Sequence, residues 1–199
     1  MILYAVTDRR GLGVGVLEHV EALLAAGVDW LQIREKDLTA RELFDLACAA
    51  RRLPNPKHAR ILINERADIA RAAGLDGVHL PSGALPPRLV REVLGPEAWI
   101  GVSAHAAEEV ERAQTEGADF CVFGPVFETP SKRKHGPPQG LDRLEEACRA
   151  VSIPVLALGG VTLEKTAACR RSGAVGVAGI SLFRPDSELN SRVERLRAL

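Results

Sequence analysis

Short runs rich in valine, isoleucine and leucine alternate along this chain with longer segments of helical period, and that alternation restricts its fold more than any other feature. The apolar runs lie at 2–6, 30–34, 60–64, 77–80, 99–103, 120–123, 155–157 and 176–179. The helical segments follow them at 17–25, 40–52, 65–72, 87–93, 107–116, 141–150, 163–172 and 187–198. Near-continuous apolar runs suit strands buried on both faces, which is how parallel strands joined by helices lie. Eight such units predict the α/β class and a closed (β/α)8 TIM barrel. A doubly wound open sheet is the alternative, because strand count alone does not prove closure.

Small-residue turns recur before alternate strands: Ala26-Gly27-Val28-Asp29, Ala73-Gly74-Leu75-Asp76, Glu116-Gly117-Ala118-Asp119 and Ser172-Gly173-Ala174-Val175. Glycine there suits the left-handed backbone that ends a helix. A barrel of this kind has about 250 residues. The 199 residues here therefore form a near-minimal version, expected to be one compact domain over 1–199.

Charge and aromatic content remove several function classes. Lys and Arg total 26, Asp and Glu total 26, and aromatic residues make up 4% of the chain. A general nucleic-acid or anionic-membrane binder would carry a one-signed surface, so neither partner is expected. No window approaches the roughly 18 apolar residues of a membrane span. The apolar start at 1–6 is short and has no basic residue ahead of it, so no secretory leader is expected. Four cysteines without a C-x-x-C pair read as reduced thiols of a cytoplasmic protein. A homo-oligomer is compatible with all of this.

In such barrels the chemistry sits on the loops after the strands. Gly159-Gly160 after the seventh strand and Gly179-Ile180-Ser181 after the eighth are placed to bind phosphate through backbone N–H groups. Gln32, Arg34 and Lys36 alternate, and would share one face if the second strand reached that far; two cations and an amide there suit a phosphate or pyrophosphate. Alternatively, Arg34 and Lys36 pair with Glu35 and Asp37 in solvent. Asn64-Glu65-Arg66 ends the third strand, and Asn64 is equally suited to cap the following helix. His79 ends the fourth strand, and Ser103 and His105 end the fifth. The segment 127–138, which includes Lys132-Arg133-Lys134-His135, is a long polar loop of the sort that closes over an anion.

Seven segments, in order over nearly the whole chain, carry a resemblance. They are Gln32-x-Arg34-Glu35-Lys36, Ile63-Asn64-x-Arg66-x-Asp68-Ile69-Ala70, Gly77-Val78-His79-Leu80, Gly101-Val102-Ser103-x-His105, Gly124-Pro125-Val126-Phe127, Thr129-x-x-Lys132 and Gly159-Gly160. Together they resemble the thiamine phosphate synthase and thiazole tautomerase (TenI-like) family of TIM barrels. For the synthase, the resemblance implies Mg²⁺-assisted loss of pyrophosphate from a pyrimidine methyl diphosphate and capture of the pyrimidine cation by the nitrogen of a thiazole phosphate. On the matching positions, Gln32, Arg34, Lys36, Asn64 and Lys132 would meet the diphosphate and Ser103 would line the pocket. Thr129, Gly159, Gly160, Gly179, Ile180 and Ser181 would hold the thiazole phosphate.

Two positions depart from the synthase pattern. Glu65 stands where it has Asp, and Pro81-Ser82-Gly83-Ala84 replaces a Gly-Gln-x-Asp segment, leaving Glu65 as the remaining metal carboxylate. Leu80-Pro81-Ser82-Gly83 and Val126-Phe127-Glu128-Thr129 look like the tautomerase branch, which uses no cofactor. That branch carries a His where this chain has Pro125, so His79, His105 or His135 would have to move the proton. The sequence therefore favours a thiazole tautomerase-like isomerase. The alternatives are a thiamine phosphate synthase with Mg²⁺ and a non-catalytic barrel that binds thiazole or thiamine phosphate.

Overall fold

The computed structural model describes residues 1–10, 12–129 and 137–199. Its elements run β1 (Ile2–Val6), α1 (Val16–Ala26), β2 (Trp30–Ile33), α2 (Ala40–Arg52), β3 (Arg60–Asn64), α3 (Ala67–Ala73), β4 (Gly77–Leu80) and α4 (Pro87–Leu94). They continue with β5 (Trp99–Ala104), α5 (Ala107–Thr115), β6 (Phe120–Phe123), α6 (Gly140–Ala150), β7 (Val155–Leu158), α7 (Leu163–Arg171), β8 (Gly176–Gly179), a 3-10 turn at Ser181–Phe183 and α8 (Leu189–Arg197). All eight strands are parallel, and β8 pairs back to β1 with Ile2 opposite Gly176. The sheet is closed, which removes the open alternative.

The turns singled out in the sequence end helices and seat the strands that follow. Gly27, Gly74, Gly117 and Gly173 have φ of 85°, 66°, 90° and 93°, the left-handed region in which glycine carries no Cβ penalty. Two residues on, an aspartate performs a second task. The carboxylates of Asp29, Asp76 and Asp119 accept the N–H groups of Leu3, Ile61 and Ile100 at 2.8, 2.7 and 2.7 Å. Each aspartate precedes an even strand and binds the odd strand before it, so strands are locked in pairs at the bottom of the barrel. Arg197 pairs with Asp29 and Arg91 with Asp119, at 2.9 and 2.8 Å, tying α8 and α4 to the same ring. At the fourth turn Val175 occupies the aspartate's place and is exposed.

Strand side chains alternate between two compartments. Outward residues such as Leu3, Ile33, Ile63, Ile100 and Val177 pack under the helices. Inward residues form a separate cluster of Tyr4, Trp30, Leu62, Phe120, Val122, Leu156 and Ala178. The single tyrosine and both tryptophans of this aromatic-poor chain belong to that interior. Tyr4 meets Trp30 edge-on at 5.8 Å and Phe120 at 5.5 Å, and the Arg60 guanidinium covers Trp99 at 4.2 Å. Such rings fit because a glycine faces them: a Cβ on Gly101 would lie 2.1 Å from the Phe120 ring.

The thiols are free, as expected, and burial pushes Cys121 up to about 12 and Cys148 and Cys169 up to about 11. Among the described residues no helix is long and apolar enough to cross a membrane. Gly101→Ala is expected to cost about 3 kcal/mol, since the ring it strikes is fixed on all sides. Urea unfolding measures this; a loss under about 0.5 kcal/mol, the scale of an ordinary surface change, would contradict the described interior packing.

Candidate active site

The inward period of two that fills the barrel floor with rings places polar groups at its top. Gln32, Asn64, His79 and Ser103 come from β2 to β5, and with Arg34, Lys36, His105, Gly124, Pro125 and Ile180 they border a cavity of about 280 Å³. Gln32 donates through Nε2 to Asn64 Oδ1 at 3.0 Å, and Asn64 donates through Nδ2 to Glu65 Oε2 at 2.7 Å. This chain of amides fixes which atoms face the cavity.

Several expectations shift. β2 ends at Ile33, so Arg34 and Lys36 stand on the following loop rather than on a strand face, yet both reach the cavity. Glu35 and Asp37 do not pair with them. Glu35 accepts from Thr7 and Arg9, and Asp37 binds Arg9 and Arg10 at 2.9 and 3.5 Å. Asn64 does not cap α3. Glu65, at φ 61°, turns the chain left-handed, and Arg66 takes the position before the helix. Arg66 is held by Asp68 at 2.6 Å and borders a neighbouring pocket with Glu65, Lys36 and Asn64 instead of the mouth.

His79 lies deep in the barrel, its Nε2 2.8 Å from the Ser103 hydroxyl and its ring 5.7 Å from Tyr4. Burial, assisted by the Arg34 charge, lowers its pKa to about 3. It is therefore a neutral hydrogen-bonding group near pH 7. His105 is exposed on the rim, and its Nδ1–H donates to the Gly124 carbonyl. Lys132 and His135 lie outside the described residues.

On the opposite side, the glycine pair and the sixth loop are joined. Val126 N–H donates to Leu158 O at 2.8 Å and Phe127 N–H to Gly159 O at 2.9 Å, extending the β6–β7 ladder beyond the strands. Gly159 and Gly160 have φ of 91° and 62°; a Cβ on the first would lie 2.5 Å from Pro125 Cβ and on the second 2.6 Å from Glu128 O. Gly124 precedes Pro125 through a cis peptide. Thr129 follows this wall, and Gly179, Ile180 and the exposed Ser181 lead into the 3-10 turn beside it.

A family model described as thiamine monophosphate synthase matches residues 3–183. The chain belongs to that family. It is 48% identical over 181 residues to "Putative thiamine-phosphate synthase 2" of Aquifex aeolicus, covering 91% of this chain and 96% of that one. A thiamine-phosphate synthase of Roseiflexus sp. is 41% identical over 194 residues, with coverage of 96% and 82%. Among solved structures, the thiamine phosphate pyrophosphorylase from Pyrococcus furiosus superposes with a TM-score of 0.87 at 31% identity, covering 99% of this chain and 94% of that one.

Sequence reasoning missed Tyr4 as a wall of the cavity and Thr7 and Glu35 as the support of its rim. Their signals existed, an inward strand position and a carboxylate between two cations, but neither identifies a partner distant in sequence. The depressed pKa of His79 has a testable sign. An unfolded imidazole takes its proton near pH 6.5, whereas the folded one refuses it until about 3. The resulting stability is present above pH 6.5 and is lost as pH falls through that window. The His79 ring resonance is accordingly expected to stay unchanged between about pH 8 and about pH 5 in an NMR titration; a midpoint near 6.5 would contradict the described burial.

Proposed function

We propose that the chain is a thiamine-phosphate synthase, a transferase joining a pyrimidine methyl diphosphate to a thiazole phosphate. The observation that carries this reading is the convergence of Gln32, Arg34, Lys36 and Asn64 on one side of a cavity whose other side is the Pro125 and Ile180 wall beside Gly159. A site with two separated anion ends suits two phosphorylated substrates. The names of the relatives favour the same reaction.

The bond between the methyl carbon and the diphosphate oxygen breaks, and its electron pair leaves with the diphosphate. The lone pair of the thiazole nitrogen then forms the new carbon–nitrogen bond. Arg34 and Lys36 stabilise the developing charge on the leaving group, while Gln32 and Asn64 orient it. Beneath them, neutral His79 and the Ser103 hydroxyl offer dipoles to the pyrimidine without adding a positive charge where a cation forms. By the family resemblance, Gly159, Gly160, Thr129, Gly179, Ile180 and Ser181 would hold the thiazole phosphate; the two glycines let the sixth loop pack against the seventh at that end. By the family resemblance, Lys132 would also meet the diphosphate.

Mg²⁺ holds on to several waters and takes one or two carboxylates plus phosphate oxygens. The exposed Glu65 carboxylate beside Asn64 fits that modest demand, although the mouth cavity itself has no acidic side chain among its described lining residues. When bound, the metal would neutralise part of the diphosphate charge, with Glu65 as its protein ligand. Support for the isomerase reading is weaker. With its pKa lowered to about 3, His79 is uncharged near neutral pH, a weak base and no cationic acid, and the relatives are named for the synthase.

Supplied with pyrimidine diphosphate, thiazole phosphate and Mg²⁺, the protein is expected to form thiamine phosphate and pyrophosphate in equal amounts. Arg34→Met is expected to lower kcat/KM about 100-fold. Absence of pyrophosphate at high enzyme concentration sinks the proposal. Metal-independent interconversion of thiazole tautomers would then establish the isomerase, and thermal stabilisation by thiazole phosphate without turnover would establish a binding protein.

A further inference from the structure

We infer that Thr7 and Glu35 form a buried relay that positions Arg34 and Lys36, and so determines affinity at the diphosphate end of the mouth. The inference rests on the synthase reading and adds two positioning residues to it. Glu35 is only 4% exposed although it lies between two residues that reach the cavity. Its side chain turns the opposite way. The Thr7 hydroxyl donates to Oε1 at 2.5 Å, and the Arg9 backbone N–H donates to Oε2 at 3.0 Å.

The Thr7 hydroxyl has one proton, and Glu35 receives it. Its oxygen is thereby left to accept, and it accepts the backbone N–H of Arg34 at 3.0 Å. Thr7, fully buried, also donates its own N–H to the Gln32 carbonyl at 2.9 Å. The β1–β2 ladder ends at Val6 and Gln32, so these contacts carry the pairing beyond both strands through a side chain. On the far side of Lys36, Asp37 is clasped by the Arg9 guanidinium at 2.9 and 3.3 Å. The two cations thus stand on a segment tied to the first loop at both ends.

Neither Thr7 nor Glu35 lines the mouth cavity, so they act through Arg34 and Lys36. A buried carboxylate is costly unless hydrogen-bonded, and here both oxygens are occupied. Its charge also offsets that of the two adjacent cations while the diphosphate is absent.

Thr7→Val preserves shape and deletes the hydroxyl, and Thr7→Ser restores it. Binding of inorganic pyrophosphate and inorganic phosphate is measured by calorimetry, with steady-state KM for each substrate alongside. Thr7→Val is expected to weaken pyrophosphate binding and raise the KM for the pyrimidine diphosphate about tenfold. The KM for thiazole phosphate should move less than about twofold, and Thr7→Ser should fall within about twofold of the parent on both. Should Thr7→Val fail to fold, Glu35→Gln, which keeps the volume and one acceptor, is expected to show the same asymmetry at about fourfold. Unchanged pyrophosphate affinity in these variants, or an equal rise in both KM values, overturns the relay while leaving the synthase reading intact. A parent protein that binds no pyrophosphate overturns both.

Discussion

The carboxylates of Asp29, Asp76 and Asp119 hold the register on which the whole mouth depends. In a parallel barrel, a slip of one residue between neighbours exchanges the inward and outward side chains. Such a slip at β2 would send Gln32 under the helices and bring Ile33 into the cavity. Each aspartate fixes a strand pair at the end remote from the chemistry, leaving the opposite rim to loops of varied length and composition. Stability and function are thereby assigned to opposite ends of the same strands.

Within the barrel, polarity changes with height. The floor is a packed group of aromatic rings; above it come His79 and Ser103, and above those the amides and cations. A charge near the floor would lose its water with little to replace it, which is why His79 stays uncharged there at neutral pH. Charge appears at the rim, where water can reach it. The overall neutrality of the chain therefore coexists with a locally cationic rim.

The eight units were legible because each strand and helix announces itself locally, through an apolar run or a helical period. The glycine turns were legible for the same reason. The mouth was legible in membership but less so in placement. Gln32, Arg34 and Lys36 do meet, although β2 stops before the last two, and Asn64 serves Gln32 instead of capping α3. Glu35 looked like a companion to its charged neighbours, since nothing in the sequence tells that its partner is Thr7, 28 residues earlier. The aromatic floor escaped notice similarly. Tyr4, Trp30, Trp99 and Phe120 are scattered along the chain, and only the barrel brings neighbouring rings among them to 4.5–6.0 Å.

The glycine pair after β7 has a further effect on how two ligands would be matched. Backbone bonds from Val126 and Phe127 to Leu158 and Gly159 make the base of the sixth loop and the seventh loop one wall, and the missing side chains of Gly159 and Gly160 let it close. Arg34 is fixed independently, by its amide contact to Thr7. Two surfaces anchored separately to the same barrel stand a set distance apart. For the proposed reaction that separation would act as a gauge, favouring a thiazole whose phosphate arm spans from the wall to the reacting carbon over one with a shorter or longer arm.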